Sequence, residues 1–429
     1  MICVEIFVCS VGLSYNVNLA FGHGIKQLPE RVIVLVKSRP QTFALSGFWK
    51  SIIKIQAFEL EATTMAETNT MIEQYMALAL QPVLQGAHKR EDIVRNLDHI
   101  AEVSRAAVWL SAIDLPVRLI TIPEGALQGF TDEIFDWDHV DYVNKTAIDI
   151  PGKETAYLGE LARDLDTFII AQAKVKHPEF PERFFNCAFV IDRHGEVIHK
   201  HYKVQVFARE HSTVPHDVWD RWAELYGTGL DAFYPVTDTE IGRIGCIICM
   251  EGSYPETARG LAMNGAEIAY RPSYPEPYVA NGLWEVQNRA RALDNTMFVV
   301  APNPASYLPM PESQFPIDTF GGNSMIVDYQ GRVISNHKSG GGASYAGAII
   351  DIEALRQYRA RSRWGNWLKD LRTEQFRLIY DQPLYEQNRC MIQAPLKHAE
   401  NDDVVDRATE RMFELGIWKK PWYMSKDEK

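Results

Sequence analysis

The feature that most limits the fold is an alternation beginning at residue 74. Tyr75-Met76-Ala77-Leu78-Ala79-Leu80 is a continuous apolar run of strand length, the pattern of a strand covered on both faces. Between Arg90 and Ile113 the apolar residues Ile93, Leu97, Ile100, Val103, Ala107 and Leu110 recur at three and four residues, which predicts an amphipathic helix. Val117-Arg118-Leu119-Ile120-Thr121-Ile122 reads as the next strand, halted by Pro123. The order continues with a helix over 153–165, a strand over 167–174, and a strand pair around the turn Asp192-Arg193-His194-Gly195. A strand over 243–249, a helix over 255–264, a strand over 266–270, a helix over 281–294 and a strand over 297–301 follow, and β segments over 323–328, 332–336 and 345–351 close the series. Strands and helices alternating without a break in composition predict one α/β domain, and no internal repeat or low-complexity linker is visible.

Composition narrows the function classes. Hydrophobic residues at 46% and charged residues at 23% suffice for a sizeable core. The net charge of −12, with no basic run, argues against nucleic-acid binding. No apolar run reaches the ~18 to 20 residues of a membrane span, which argues against a membrane role. Six cysteines (Cys3, Cys9, Cys187, Cys246, Cys249, Cys390) fall far below disulfide-scaffold density and point to a reducing, cytoplasmic setting. The apolar stretch from Met1 to Leu13 lacks the positive charge of a secretory signal, its first lysine being Lys26. Residues 1–64 are therefore expected to be a dispensable extension outside the core, and Met65 and Met71 stand just before the first core strand. Two long irregular stretches remain, the aromatic-rich 207–235 and the Pro-studded 302–318, and loops of that length are usually functional or interfacial. Beyond 360 the chain is polar with scattered aromatics, as in an extended arm packing on its own domain or a partner.

Ligands of α/β sheets sit beyond the carboxyl ends of the strands, and three strand ends carry reactive side chains. These are Pro123-Glu124-Gly125, His201-Tyr202-Lys203-Val204, and Gly245-Cys246-Ile247-Ile248-Cys249-Met250-Glu251-Gly252. Each alone has an ordinary reading as a solvated charge or a packed thiol. The C-x-x-C spacing of Cys246 and Cys249 suggests a redox pair or half a zinc site. Side chains three apart on a strand face opposite ways, however, and no second Cys/His cluster is evident in the sequence. Gly342-Ala343-Ser344-Tyr345-Ala346 does not match G-x-S-x-G in context, and no phosphate-binding glycine loop occurs.

The order Glu, Lys, Cys on successive strand ends resembles the nitrilase superfamily of carbon-nitrogen hydrolases over about residues 74–390. Pro123-Glu124 with Leu127-Gln128-Gly129-Phe130, Tyr202-Lys203, and Ile248-Cys249-Met250-Glu251 with Tyr254-Pro255-Glu256 are similar to its three motifs. Asn186, Arg291-Ala292-Leu293-Asp294-Asn295, Gly322-Asn323-Ser324-Met325-Ile326-Val327 and Asp351 match further family positions. The resemblance implies a four-layer αββα sandwich in a single catalytic domain over 65–390, with a C-terminal arm over 391–429 and assembly into a homodimer or higher homo-oligomer. It implies Glu124 as general base, Lys203 as oxyanion partner and Cys249 as nucleophile. Glu210, Met250 and Ser273 are implied as auxiliary or substrate-binding residues, and neither metal nor organic cofactor is implied. Two departures stand out: Tyr202 replaces the arginine common before the lysine, with Lys200 as a rival for that lysine, and Met250 replaces the Trp of true nitrilases. The second tilts the expectation to an amidase acting on a small-molecule amide, with nitrilase, N-carbamoyl hydrolase and a catalytically degenerate binding protein as alternatives. Residues 207–235 and 302–318 are expected to line the acyl pocket and favour an apolar acyl group.

Overall fold

Strands with no polar face need cover on both sides, and two six-stranded sheets packed face to face with helices outside provide it. The computed structural model describes residues 71–273, 281–317, 321–338, 340–392 and 397–424, together with strands Ile2–Val8 and Leu13–Leu19. The chain divides into two units, Met1–Thr68 and Asn69–Lys429. In the first, the two strands just named pair antiparallel. The rest of the expected 1–64 extension lies outside the described residues.

In the second unit the strands of the two six-stranded sheets are β1 (Tyr75–Gln81), β2 (Val117–Thr121), β3 (Phe168–His177), β4 (Phe180–Ile191), β5 (Val197–Tyr202), β6 (Val236–Thr237), β7 (Ile244–Cys246), β8 (Ile268–Tyr270), β9 (Phe298–Ala301), β10 (Ser324–Val327), β11 (Val333–His337) and β12 (Ser344–Ile350). One sheet has the order β12-β1-β2-β3-β4-β5 and the other β6-β7-β8-β9-β10-β11. Read in that order, both sheets run antiparallel, parallel, parallel, antiparallel, antiparallel. The topology therefore repeats although no repeat is visible in the sequence, because the shared pattern lies in strand direction and not in residue identity.

Three apolar clusters separate the layers. Helices α1 (Ile93–Ser111) and α2 (Lys153–Leu165) bury Ile93, Leu97, Ile100, Leu158 and Leu161 against the outer face of the first sheet. Helices α3 (Pro255–Met263) and α4 (Leu283–Asn295) bury Ala258, Leu261, Trp284 and Ala292 against the second. Between the sheets lie Tyr75, Leu119, Ile170, Val190, Ile244, Ile268, Val300 and Ile350, among others. Each such side chain contributes about 1.5 to 3 kcal/mol when withdrawn from water. This is the αββα sandwich that the family resemblance implies.

Two stretches differ from expectation. Residues 207–235 are not irregular throughout: they contain a helix at Trp219–Tyr226 and a turn of helix at Leu230–Phe233. Trp222 is buried on the outer face of the first sheet with Phe180, Phe185 and Tyr202, and its indole N–H donates to Ala232 O at 2.9 Å. Phe233 packs against the same cluster and Tyr226 against the Trp222 ring, so these aromatic residues complete an outer layer. Beyond 360 the chain is not simply extended, since it forms α5 (His398–Glu414). Arg389 forms a buried ion pair with Asp217 at 3.2 Å, and the Arg183 guanidinium donates to Cys390 O at 2.9 Å, so this region packs on its own domain.

Trp222→Ala is expected to cost about 3 to 5 kcal/mol in urea unfolding, the penalty of emptying an aromatic site in a packed layer. A loss below about 1 kcal/mol would show that the segment merely covers the surface.

Candidate active site

The end of β2 delivers Glu124. After Pro123 the chain turns through Gly125, whose φ of +75° and whose closeness to the Phe130 ring, 2.0 Å from where a Cβ would stand, admit no side chain. Gly125 N–H donates to Gln172 Oε1 at 2.8 Å, which fixes the turn against β3. Lys203 follows β5 and extends its ladder by donating its N–H to Asn186 O at 2.8 Å. Side chains alternate along β5, so Lys203 and His201 point inward with Glu251 and Glu124, while exposed Lys200 lies on the other side. That alternation separates the two lysines the sequence left as rivals.

Glu124 and Lys203 meet in the protein interior. Lys203 Nζ donates to Glu124 Oε1 at 3.0 Å and to Glu210 Oε2 at 2.6 Å, all three side chains being buried. Asn186 Nδ2 donates to Glu124 Oε1 at 2.7 Å and to Glu210 Oε1 at 3.0 Å, and Gln172 Nε2 in turn donates to Asn186 Oδ1 at 2.7 Å. Glu124 Oε2 makes no hydrogen bond among the described residues. Burial pushes the Glu124 carboxyl above its ordinary range, against the opposing pull of Lys203. Burial also works against the Lys203 charge, but Glu124 and Glu210 overcome it and hold the ammonium protonated well above the usual lysine value.

Cys249 lies past the end of β7, at the start of the 3-10 turn Cys249–Ser253, with a left-handed φ of +45°. That conformation costs a non-glycine residue about 1 to 2 kcal/mol, and the next strand's continuation helps to hold it, Cys249 N–H donating to Pro272 O at 2.8 Å. Cys249 is close enough to Lys203 to act on its charge. The expectation that Cys246 and Cys249 face opposite sides is corrected: the strand stops at Cys246, the chain turns, and both side chains border the apolar layer between the sheets. Neither is in a disulfide. Burial pushes the Cys246 thiol well above its ordinary range.

The remaining expected residues fall around this center. Glu210 joins the ion set directly. Met250 is half-buried with its sulfur 3.8 Å from Ser253 Oγ, and Ser273 is fully buried just beyond Pro272. Of the 302–318 loop, the described part lies beside the Glu124 turn, Tyr307 Oη accepting from Phe130 N–H at 3.1 Å.

One tie was not legible. Glu251, fully buried, accepts from Ile248 N–H at 2.5 Å, from Val204 N–H at 2.6 Å, and faces His201 Nε2 at 3.0 Å. A single carboxylate thus joins the residue before Cys249 to the residue after Lys203, across the two sheets. Its sequence signal is a charged residue within the otherwise apolar 246–250 neighbourhood, and that signal names no partner.

The carbon-nitrogen hydrolase family model matches residues 82–360, and the chain belongs to that family. The chain is 25% identical to a nitrilase homolog of Dictyostelium discoideum over 280 residues, covering 65% of this chain and 76% of the relative. It is 28% identical to an omega-amidase of Xenopus laevis over 223 residues, covering 51% and 74%. A carbon-nitrogen hydrolase structure from Helicobacter pylori superposes with a TM-score of 0.54 at 20% identity, covering 72% of this chain and 99% of that one, a likeness of fold.

Glu251→Gln keeps the volume but replaces one accepting oxygen with an NH2 group that can only donate toward these N–H groups. Leaving a buried donor unpaired costs about 1 to 3 kcal/mol. Iodoacetamide labelling of Cys249 is expected to slow by about tenfold, with a matching drop in urea stability. Unchanged labelling and unchanged stability would show that the turn at Cys249 holds itself.

Proposed function

We propose that this chain hydrolyses a linear amide to a carboxylic acid and ammonia or an amine, through a thioester on Cys249. The observation that carries this reading is the division of labour in Glu124: Oε1 is committed to Lys203 and Asn186, while Oε2 makes no hydrogen bond among the described residues and remains able to take a proton. Oε2 accepts the Cys249 thiol proton, and the thiolate adds to the amide carbonyl carbon. The carbonyl oxygen becomes an oxyanion opposite the Lys203 ammonium and the backbone N–H of Met250. Collapse of this intermediate breaks the C–N bond, and the proton held on Glu124 passes to the departing nitrogen. Glu124 then takes a proton from water as the water oxygen attacks the thioester, the C–S bond breaks, and the proton returns to the Cys249 sulfur.

Glu210 contributes from the side. With its carboxylate 2.6 Å from Lys203 Nζ, it keeps the ammonium paired while Glu124 carries the proton. The family relatives include proteins named omega-amidase and formamidase, which supports an amide substrate. The acyl preference inferred from the aromatic 207–235 segment loses its basis, because Trp222 packs on the outer face of the first sheet.

Cys249→Ala is expected to abolish ammonia release from amides, and Cys246→Ala, sealed in the layer between the sheets, to retain it. Glu124→Gln is expected to lower kcat/KM by ~10² to 10⁴-fold and Lys203→Met by ~10² to 10³-fold, whereas Lys200→Met should not. Because the base must be ionised and burial raises the Glu124 carboxyl, kcat/KM should fall as pH drops through a value above the ordinary carboxylate range. Equal losses in Cys246→Ala and Cys249→Ala would refute the assignment.

A further inference from the structure

Asp136, His211 and His398 come from three separate stretches of chain and bring one ligand atom each within 4.8 Å of one another. His211 Nε2 stands 3.0 Å from Asp136 Oδ1, and His398 Nε2 stands 3.9 Å from the same oxygen. The two imidazole centroids are 4.9 Å apart at 55°. The His211 side chain is only 2% exposed, yet its Nε2 makes no hydrogen bond among the described residues, the approach to Asp136 lacking hydrogen-bond geometry. His398 Nε2 is also without one. Two buried or half-buried imidazole nitrogens aimed at one carboxylate oxygen, without bonding to it, form the edges of a coordination polyhedron. Ligands about 2.0 to 2.1 Å from a tetrahedral ion stand about 3.3 Å apart, between the two observed separations.

We propose that Asp136, His211 and His398 form a site for a divalent transition ion, Zn²⁺ fitting best. Two imidazoles and one carboxylate suit zinc and its first-row neighbours, whereas Ca²⁺ and Mg²⁺ take all-oxygen sets. The remaining position takes water, and the 39% exposed Asp136 side chain gives the ion a route in. The carboxylate is already oriented: Asp136 Oδ1 accepts His398 N–H at 3.2 Å, and the Lys397 ammonium donates to the Asp136 carbonyl. The site lies outside the catalytic set, and no step of amide hydrolysis passes through the ion. Its consequence is mechanical. His211 directly follows Glu210, and His398 opens α5, so the ion clamps the C-terminal helix to the loop that supplies a carboxylate to Lys203.

The test is calorimetric titration of chelator-stripped, full-length protein with Zn²⁺, carried out in Cys249→Ala so that the catalytic thiol does not compete. One Zn²⁺ per chain is expected, with a rise in Tm on loading. His398→Ala and Asp136→Asn should each weaken binding by about 100-fold or more and abolish the Tm rise; removal even of outer-shell partners costs about 10- to 100-fold. Asn tolerates the left-handed φ of +48° at position 136, so Asp136→Asn decides the matter if His398→Ala does not fold. Binding of equal strength in the parent and a folded variant would place the ion elsewhere and overturn the proposal. Failure of the parent to bind Zn²⁺ would reduce the three side chains to an ion pair and a ring contact, and would overturn it equally.

Discussion

The site depends on keeping an ammonium charged where water does not reach it. Lys203 is 1% exposed, and stripping a cation of its hydration costs several kcal/mol unless opposite charge replaces the solvent. One carboxylate would serve for charge alone. If that one were Glu124, however, it could not give up its negative charge during turnover without stranding the ammonium. In the proposed hydrolysis Glu210 removes this conflict, because Lys203 keeps a second carboxylate at 2.6 Å while Glu124 takes up and gives back a proton. Asn186, which donates to both carboxylates, holds two like charges at the spacing the cation requires.

This arrangement explains why the fold needs two sheets. Glu124, Lys203 and Glu210 belong to the first sheet and its loops, while Cys249 belongs to the second. Their relative placement is set across the apolar layer between the sheets, where dispersion contacts alone specify register poorly. Polar ties supply it: Glu251 binds backbone N–H groups on both sides, and Tyr270 of β8 donates its hydroxyl to Ile122 O at the end of β2. The repeated strand order brings the carboxyl ends of parallel strands from both sheets toward the same region, one ending in Glu124 and the other in the turn at Cys249.

Much of this was legible because the signals are local. Apolar strand runs and helical periodicity from Arg90 onward put Glu124, Lys203 and Cys249 at strand ends, where each alone reads as ordinary, and the resemblance to the nitrilase superfamily is what singles them out together. The cross-sheet tie was not legible, since Glu251 and His201 are 50 residues apart and nothing near either names the other. Gln172 and Lys174 are a subtler case. Polar residues inside the apolar strand Phe168–His177 announce a buried polar network, but the sequence does not name Asn186, Asp132 or Glu133 as their partners. The aromatic stretch misled for the opposite reason. Tryptophan and tyrosine suit a pocket wall and an outer packing layer equally, and only the sheet face they meet distinguishes the two.

That stretch divides at Pro215, and the division shows how one connection serves two layers. Up to Thr213 the chain stays with the sheet, Thr213 N–H donating to Phe184 O at 3.0 Å, so Glu210 is held beside Lys203 by backbone and not by its own side chain alone. From Pro215 onward the missing amide hydrogen and fixed φ turn the chain outward, and Trp222 anchors it on the far face. Asp217, in that turn, receives Arg389 from the C-terminal region, so the turn and the chain around Arg389 pack together. Loosening the C-terminal region would therefore act on the proposed catalysis through the 207–217 connection and the position of Glu210.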